Sequence, residues 1–336
     1  MVTILVDGQW NLKRNFHKRK GQSAKGEFCG GSFGFLESLK NVMNRMLPDR
    51  TIVMWDGVQS GKLRYEIYKP YKAKRKEYWK SEENAISTDG GETEKEKETF
   101  EILQQKLIVN QFLDEFYVRH AEVNKIEADD LIAGYILMSK IPNEKIIIYS
   151  RDKDYLHLVS ETVSVLNPDN LELITFENFK NIFGHTLDNA LLLKCFEGDS
   201  ADEIGGVKGV TPERLLKEFP RMANEKYYFN RLVEECYDKK RDKKIKFYDK
   251  IINARGVLYR NAKLMDLRRP FLNDEAIMAI KEMIVSKFDN EGSIKKGMSL
   301  FYEKGFNTFI ENQYIDLFFV PFYRNMNKEK EYSLKN

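Results

Sequence analysis

The chain has 336 residues, of which 42% are hydrophobic and 32% charged, with a net charge of only +3. That length supports one large or two modest domains without covalent staples, and no apolar run approaches the ~20 residues needed to cross a bilayer. The three cysteines (Cys29, Cys195, Cys236) are far apart and follow no metal or redox spacing, so they read as structural residues of a reducing, cytoplasmic compartment.

Thr3 to Val6 is an apolar run closed by Asp7 and Gly8, as a buried strand ending in a turn. Phe35 to Leu47 has helical apolar spacing and stops at Pro48. Thr51 to Trp55 repeats the first pattern, closed by Asp56 and Gly57. A strand-terminal Asp is as often a turn former or helix cap as a ligand, so neither acid is decisive alone. The Asp-Gly start also suits a phosphatase with an Asp nucleophile, but that chemistry wants a second Asp two residues on, where Gln9 stands.

The neutral total conceals two opposed blocks. Residues 61–80 carry eight basic side chains against two acids, and residues 81–101 carry eight acids against two lysines. Lys62 to Trp79 is basic and aromatic; Thr93 to Phe116 is a strong helix candidate; Ser87 to Gly91 between them is a polar breaker. Glu127 to Lys140 reads as a helix with an acidic first turn. Glu127 and Asp130 stand three apart and share a face, with Asp129 about a hundred degrees away. Lys145 to Ser150 is another buried strand, followed by Asp152 and Asp154, which face one side if extended. Thr162–Leu166 and Leu171–Thr175 suggest a hairpin around Asn167 to Asn170.

Alternating strands and helices up to about residue 180 indicate an α/β domain with a mainly parallel sheet. After residue 186 strand signals vanish and the remainder reads as helical. There Asp199 and Asp202 adjoin a glycine-rich hairpin, Gly205-Gly206-Val207-Lys208-Gly209, of a kind that offers N–H groups to phosphates whatever the base sequence. Acids gathered at the carboxyl ends of parallel strands repel one another, and a pair of hard divalent cations is the simplest means of holding them together. Two such ions are a recurrent device for phosphodiester hydrolysis.

In this order the motifs resemble the 5′-nuclease superfamily of flap endonucleases, polymerase 5′-nuclease domains and stand-alone tailed-phage 5′→3′ exonucleases with ribonuclease H activity. The resemblance rests on the strand-Asp-Gly start, Trp55-Asp56-Gly57, Arg64 with Pro70 to Arg75, Glu127-Ala-Asp-Asp, Arg151-Asp-Lys-Asp and Gly198-Asp-Ser-Ala-Asp, spanning about residues 3–216. It implies a PIN-like (resolvase-like) catalytic domain over residues 1–185 with a helical arch at about 62–116. It also implies a helical C-terminal domain over 186–336, with a helix-hairpin-helix-type motif at about 190–219.

The family implies a two-Mg²⁺ site, with Mn²⁺ as a substitute. By matching position Asp7, Asp56 and Asp129 serve the first ion, with Glu127 and Asp130 direct or through water. Asp152, Asp154 and Asp202 serve the second, with Asp199 nearby. Lys72 and Arg75 match the basic pair that neutralises the scissile phosphate, Tyr71 a stacking position for a terminal base, and Arg64 a phosphate-facing position. At the hairpin Gly206 and Gly209 remain, but several other family positions differ, which puts the family's K⁺ site in doubt and implies a duplex grip that is either weaker or supplied by Lys208, Arg214 and Lys217.

The implied activity is a monomeric 5′→3′ exonuclease and flap endonuclease acting on DNA and RNA–DNA duplexes, removing primers and flaps in (phage) replication. A non-catalytic flap-binding relative would have lost several acids, and a small-molecule phosphatase would not explain the basic aromatic stretch. The charged tail from Asn325 reads as a disordered end, or as a docking segment for a single-strand DNA-binding protein or sliding clamp.

Overall fold

The computed structural model describes residues 1–19, 21, 28–73, 93–242, 245–285 and 292–335. The expectations for Arg75 and for the 74–92 part of the arch lie outside these residues. In chain order the elements are β1 (Val2–Asp7), α1 (Gly8–Lys18), α2 (Gly30–Met46), β2 (Arg50–Asp56), α3 (Lys62–Ile67) and α4 (Glu94–Glu115). Next come β3 (Arg119–Val123), α5 (Ala128–Met138), β4 (Lys145–Tyr149), β5 (Val163–Leu166), β6 (Leu173–Ile174), α6 (Phe176–Phe183) and α7 (Ala190–Glu197). Then follow β7 (Gly198–Asp199), β8 (Ile204–Gly205), α8 (Pro212–Glu218), α9 (Phe229–Asp242), α10 (Lys246–Ile252) and α11 (Arg255–Met265). The chain closes with α12 (Asp274–Val285), α13 (Ile294–Glu303) and α14 (Ile315–Lys335). None of the described helices is long and apolar enough to cross a membrane.

The chain forms two compact units, one of Met1–Ser60, Lys74–Ser150 and Leu272–Asn336, the other of Gly61–Ala73 and Arg151–Phe271. The first is an α/β unit built on parallel strands in the order β3-β2-β1-β4. β1 and β2 are nearly wholly buried, which is why they read as continuous apolar runs. β3, by contrast, escapes sequence detection: Arg119-His-Ala-Glu-Val alternates polar with small and holds only Val123 as a large apolar residue. The polar α1 escapes for the same reason, presenting few apolar side chains.

The C-terminal helices return to this sheet unit, whereas the sequence reading assigned all of 186–336 to one helical domain. An aromatic core draws them back. Phe33 stacks on Phe318 (5.9 Å between centroids), Phe112 on Phe306 (5.3 Å), and Phe116 meets Phe322 (4.5 Å). Each such ring contributes roughly 1.5–3 kcal/mol by burial. The expected disordered end is also corrected, because α14 continues through it. Asn325 donates to the Tyr117 carbonyl (3.0 Å), and Glu329, fully buried, pairs with Arg50 (3.0 Å) and Arg119 (3.2 Å).

In the second unit the expected hairpin is present, β5 running antiparallel to β6. The rest is helical, except that the glycine hairpin carries the two-residue antiparallel pair β7–β8, too short to leave a periodic signal. Its core gathers Tyr71, Phe196, Leu215, Phe219, Phe247 and Tyr248 around α7.

Candidate functional site

In the sheet unit, parallel pairing brings the carboxyl ends of β1 and β2 to one rim, so Asp7 and Asp56 end neighbouring strands. Asp7 caps α1, accepting from the Trp10 N–H (3.0 Å) and from the Ser150 hydroxyl (3.2 Å). One carboxylate oxygen faces each donor. Asp56 accepts from the Ala128 N–H (2.9 Å), which ties it to the start of α5. Gly57 is required here: a Cβ would lie 1.8 Å from the Val123 carbonyl oxygen.

Glu127, Asp129 and Asp130 each offer a carboxylate oxygen within 4.8 Å of the others, and no other three His, Cys, Asp or Glu residues do so among the described residues. Glu127 and Asp130 are 3% and 1% exposed. Helical spacing separated Asp129 from this pair; the structure joins all three. Glu127 stands in the N-cap position with extended backbone (φ −86°, ψ 152°), so helical projection does not govern it. Two unit charges 4.8 Å apart repel by about 3.5 kcal/mol at an effective dielectric of 20. The helix dipole returns only ~0.3–1 kcal/mol per acid. A hard ion with oxygen ligands at about 2.1–2.5 Å would offset that repulsion.

In the second unit Asp152 does not lie extended with Asp154. It caps a 3₁₀ turn (Lys153–Leu158), accepting the Asp154 N–H at 2.8 Å. Asp154 and Asp199 are both ion-paired to Lys194, the latter at 3.5 Å. Asp199 also accepts from the N–H groups of Ala201 (2.9 Å) and Asp202 (3.1 Å), which folds the Gly198–Asp202 turn around it. Asp202 receives the Tyr71 hydroxyl (3.2 Å) and the Lys72 ammonium (3.4 Å), and its carbonyl accepts the Lys72 N–H (3.0 Å). Lys72 adopts a left-handed backbone (φ 46°), which aims its N–H and its ammonium at the same residue.

Two expectations change here. Tyr71 is 1% exposed and part of the apolar core, so its ring offers no free face for a terminal base. Arg64 is buried too; its Nε donates to the Leu264 carbonyl (2.9 Å) and its guanidinium lies 4.8 Å over Phe271. Arg64, Tyr71 and Lys72 are thus buried, while Glu66, Ile67, Lys69 and Pro70 of the same segment are exposed. Lys194 was missed. Its one signal is that it is the sole cation in the otherwise apolar run Ala190 to Phe196. Burial pushes the neighbouring Cys195 thiol up to about 12, which suits an inert core cysteine.

At the hairpin α7 and α8 flank β7–β8. A Cβ on Gly206 would meet the Glu197 carbonyl oxygen at 2.1 Å, so only glycine allows this crossing. Gly209 turns the chain at φ 82°, and Lys208 beside it is exposed. Thr211 caps α8 through the Arg214 N–H (3.3 Å), and the Arg214 guanidinium lies 4.1 Å over Phe247 at the surface.

The family described as "5'-3' exonuclease, N-terminal resolvase-like domain" matches residues 2–184. A 5'-3' exonuclease of Buchnera aphidicola is 25% identical over 230 residues, 66% of this chain and 71% of its own. A thermostable DNA polymerase I of Thermus aquaticus is 28% identical over 220 residues, 64% of this chain but 24% of the polymerase. Among solved structures, a T5 5'-exonuclease with bound divalent metal ions (zinc) superposes with a TM-score of 0.60 at 19% identity, covering 91% of this chain and all of that one. That last likeness is one of fold.

Proposed function

Because the chain belongs to the family of 5'-3' exonucleases with a resolvase-like N-terminal domain, we propose that it is a structure-specific 5′ nuclease. It hydrolyses phosphodiesters of DNA and RNA–DNA duplexes near 5′ ends and flaps, leaving 5′-phosphate and 3′-hydroxyl termini. Removal of RNA primers and flaps during replication, in a phage or its host, is the role that suits this activity. The observation that carries the proposal is the close-set, largely buried carboxylate trio of Glu127, Asp129 and Asp130.

Asp7, Asp56 and that trio are the residues that would hold one Mg²⁺ or Mn²⁺; Asp152, Asp154, Asp199 and Asp202 would hold another. Divalent ions in such settings supply an activated water and stabilise the leaving oxygen. The remaining work belongs to the chain's own side chains. Ser150 and the Trp10 N–H orient Asp7, and the Ala128 N–H orients Asp56. Lys72, held in place by Asp202, neutralises phosphate charge. Tyr71 is a positioning residue, fixing Asp202 through its hydroxyl. Lys208 and Arg214, both exposed, contact the duplex backbone beside the glycine hairpin.

The test compares 5′-flap, nicked and RNA-primed duplexes with and without Mg²⁺. Asp152→Asn abolishes cleavage while leaving duplex binding within about threefold of the unaltered chain. Retained cleavage by this variant refutes the two-ion assignment.

A further inference from the structure

Lys194 is the one cation within a helix whose other residues from Ala190 to Phe196 are apolar or small. Its side chain is 15% exposed, and the two acids it contacts, Asp154 and Asp199, are 13% and 22% exposed. The ammonium bridges the two carboxylates in a place with little access to water. The arrangement has a consequence for divalent ions. An ammonium contacting both acids occupies oxygen lone pairs that a hard ion would need.

We infer that Lys194 is a built-in counter-cation: it neutralises Asp154 and Asp199 in the metal-free chain, and a divalent ion must displace it to bind there. This rests on the reading of those acids as metal ligands given above. Binding at this acid pair is thus an exchange of one cation for another. Its observed affinity is weaker than the acids alone would give, by the strength of the lysine contacts. Once displaced, the Lys194 ammonium leaves the acids and becomes accessible to solvent.

Calorimetric titration with Mn²⁺ tests the competition. Lys194→Met tightens Mn²⁺ binding at the step that Asp154→Asn removes, by about tenfold, which is ~1.4 kcal/mol. Lys194→Arg, which keeps the charge, stays near the unaltered chain. Amine footprinting of the unaltered chain tests the displacement without any substitution. Acetylation of Lys194 rises by about fivefold or more on saturation with Mg²⁺, while exposed Lys208 serves as the reference. If the unaltered chain binds no Mn²⁺, the metal reading fails and this inference falls with it. If it binds Mn²⁺ but Lys194→Met binds no more tightly, or Mg²⁺ leaves Lys194 acetylation unchanged or lower, the inference alone is overturned.

Discussion

Replacement of Glu329 by alanine probes what secures the C-terminal helix α14 to the sheet unit. Glu329 is fully buried and shared by two buried arginines, its Oε1 lying 3.0 Å from Arg50 Nε and 3.2 Å from Arg119 Nε. Burial alone would lower the Arg50 pKa, but the adjoining Glu329 carboxylate raises it above the usual value. The guanidiniums also donate to the last carbonyls of α12, Arg50 to Met283 (3.3 Å) and Ile284 (3.0 Å). Those neutral acceptors survive the substitution; the carboxylate shared by both guanidiniums does not. Removing one member of a buried charge group costs about 3–5 kcal/mol, because the remaining charge is left in a poor solvent. With two arginines affected the upper part of that range applies. At a urea m-value near ~2 kcal/mol per M the midpoint falls by about 2 M. Buried Trp55, stacked 5.4 Å from Phe35, reports this unit through its fluorescence. Glu329→Gln keeps the shape and recovers less than half of the loss. A cost below about 1 kcal/mol for both variants would refute the argument, since it would mean that aromatic packing alone holds α14.

Two further outcomes test other parts of the chain. His157 is buried and accepts the Leu267 N–H at Nε2 (3.0 Å); burial lowers its pKa to about 4, the nearby Asp266 opposing only in part. Because the neutral ring is favoured in the folded chain, this stability is present above the unfolded pKa of ~6.5 and is lost as pH falls toward 4. From pH 7 to pH 5 the loss is about 2 kcal/mol, and His157→Gln flattens that part of the urea-midpoint profile; an unchanged slope would contradict it. At the hairpin, Gly206→Ala forces a Cβ to within 2.1 Å of a carbonyl oxygen, whereas Gly205→Ala meets nothing within 4 Å. The first therefore lowers the thermal midpoint and duplex affinity, and the second leaves both nearly unchanged; equal effects would remove the close-crossing argument.

What could be read from the residues alone depended on whether burial leaves a local pattern. β1, β2 and β4 are buried runs closed by polar residues, and so were visible together with the acids that end β1 and β2. β3 was not, because its residues alternate charge with small side chains while their burial is imposed by β2. The Phe318, Phe319 and Phe322 stripe announces an amphipathic helix but not its partner, which lies in residues 33–116. The 62–73 segment misled in the opposite direction. Its motif match suggested nucleic-acid contacts, yet Arg64, Tyr71 and Lys72 each bond to residues 130–200 positions away, which no local pattern encodes.

The two acidic groups also differ in how the chain tolerates them, and this bears on their chemistry. Asp7 and Asp56 take N–H and hydroxyl dipoles from a strand end and two helix starts. Such dipoles orient a carboxylate while leaving its charge in place, so the acid remains attractive to a cation. Asp154, Asp199 and Asp202 take ammonium groups, which cancel charge as well as orient it. A carboxylate already matched by a lysine yields a smaller net gain to an incoming ion than one held by dipoles. A divalent ion binding at Asp154, Asp199 and Asp202 would therefore compete with ammonium groups already in contact.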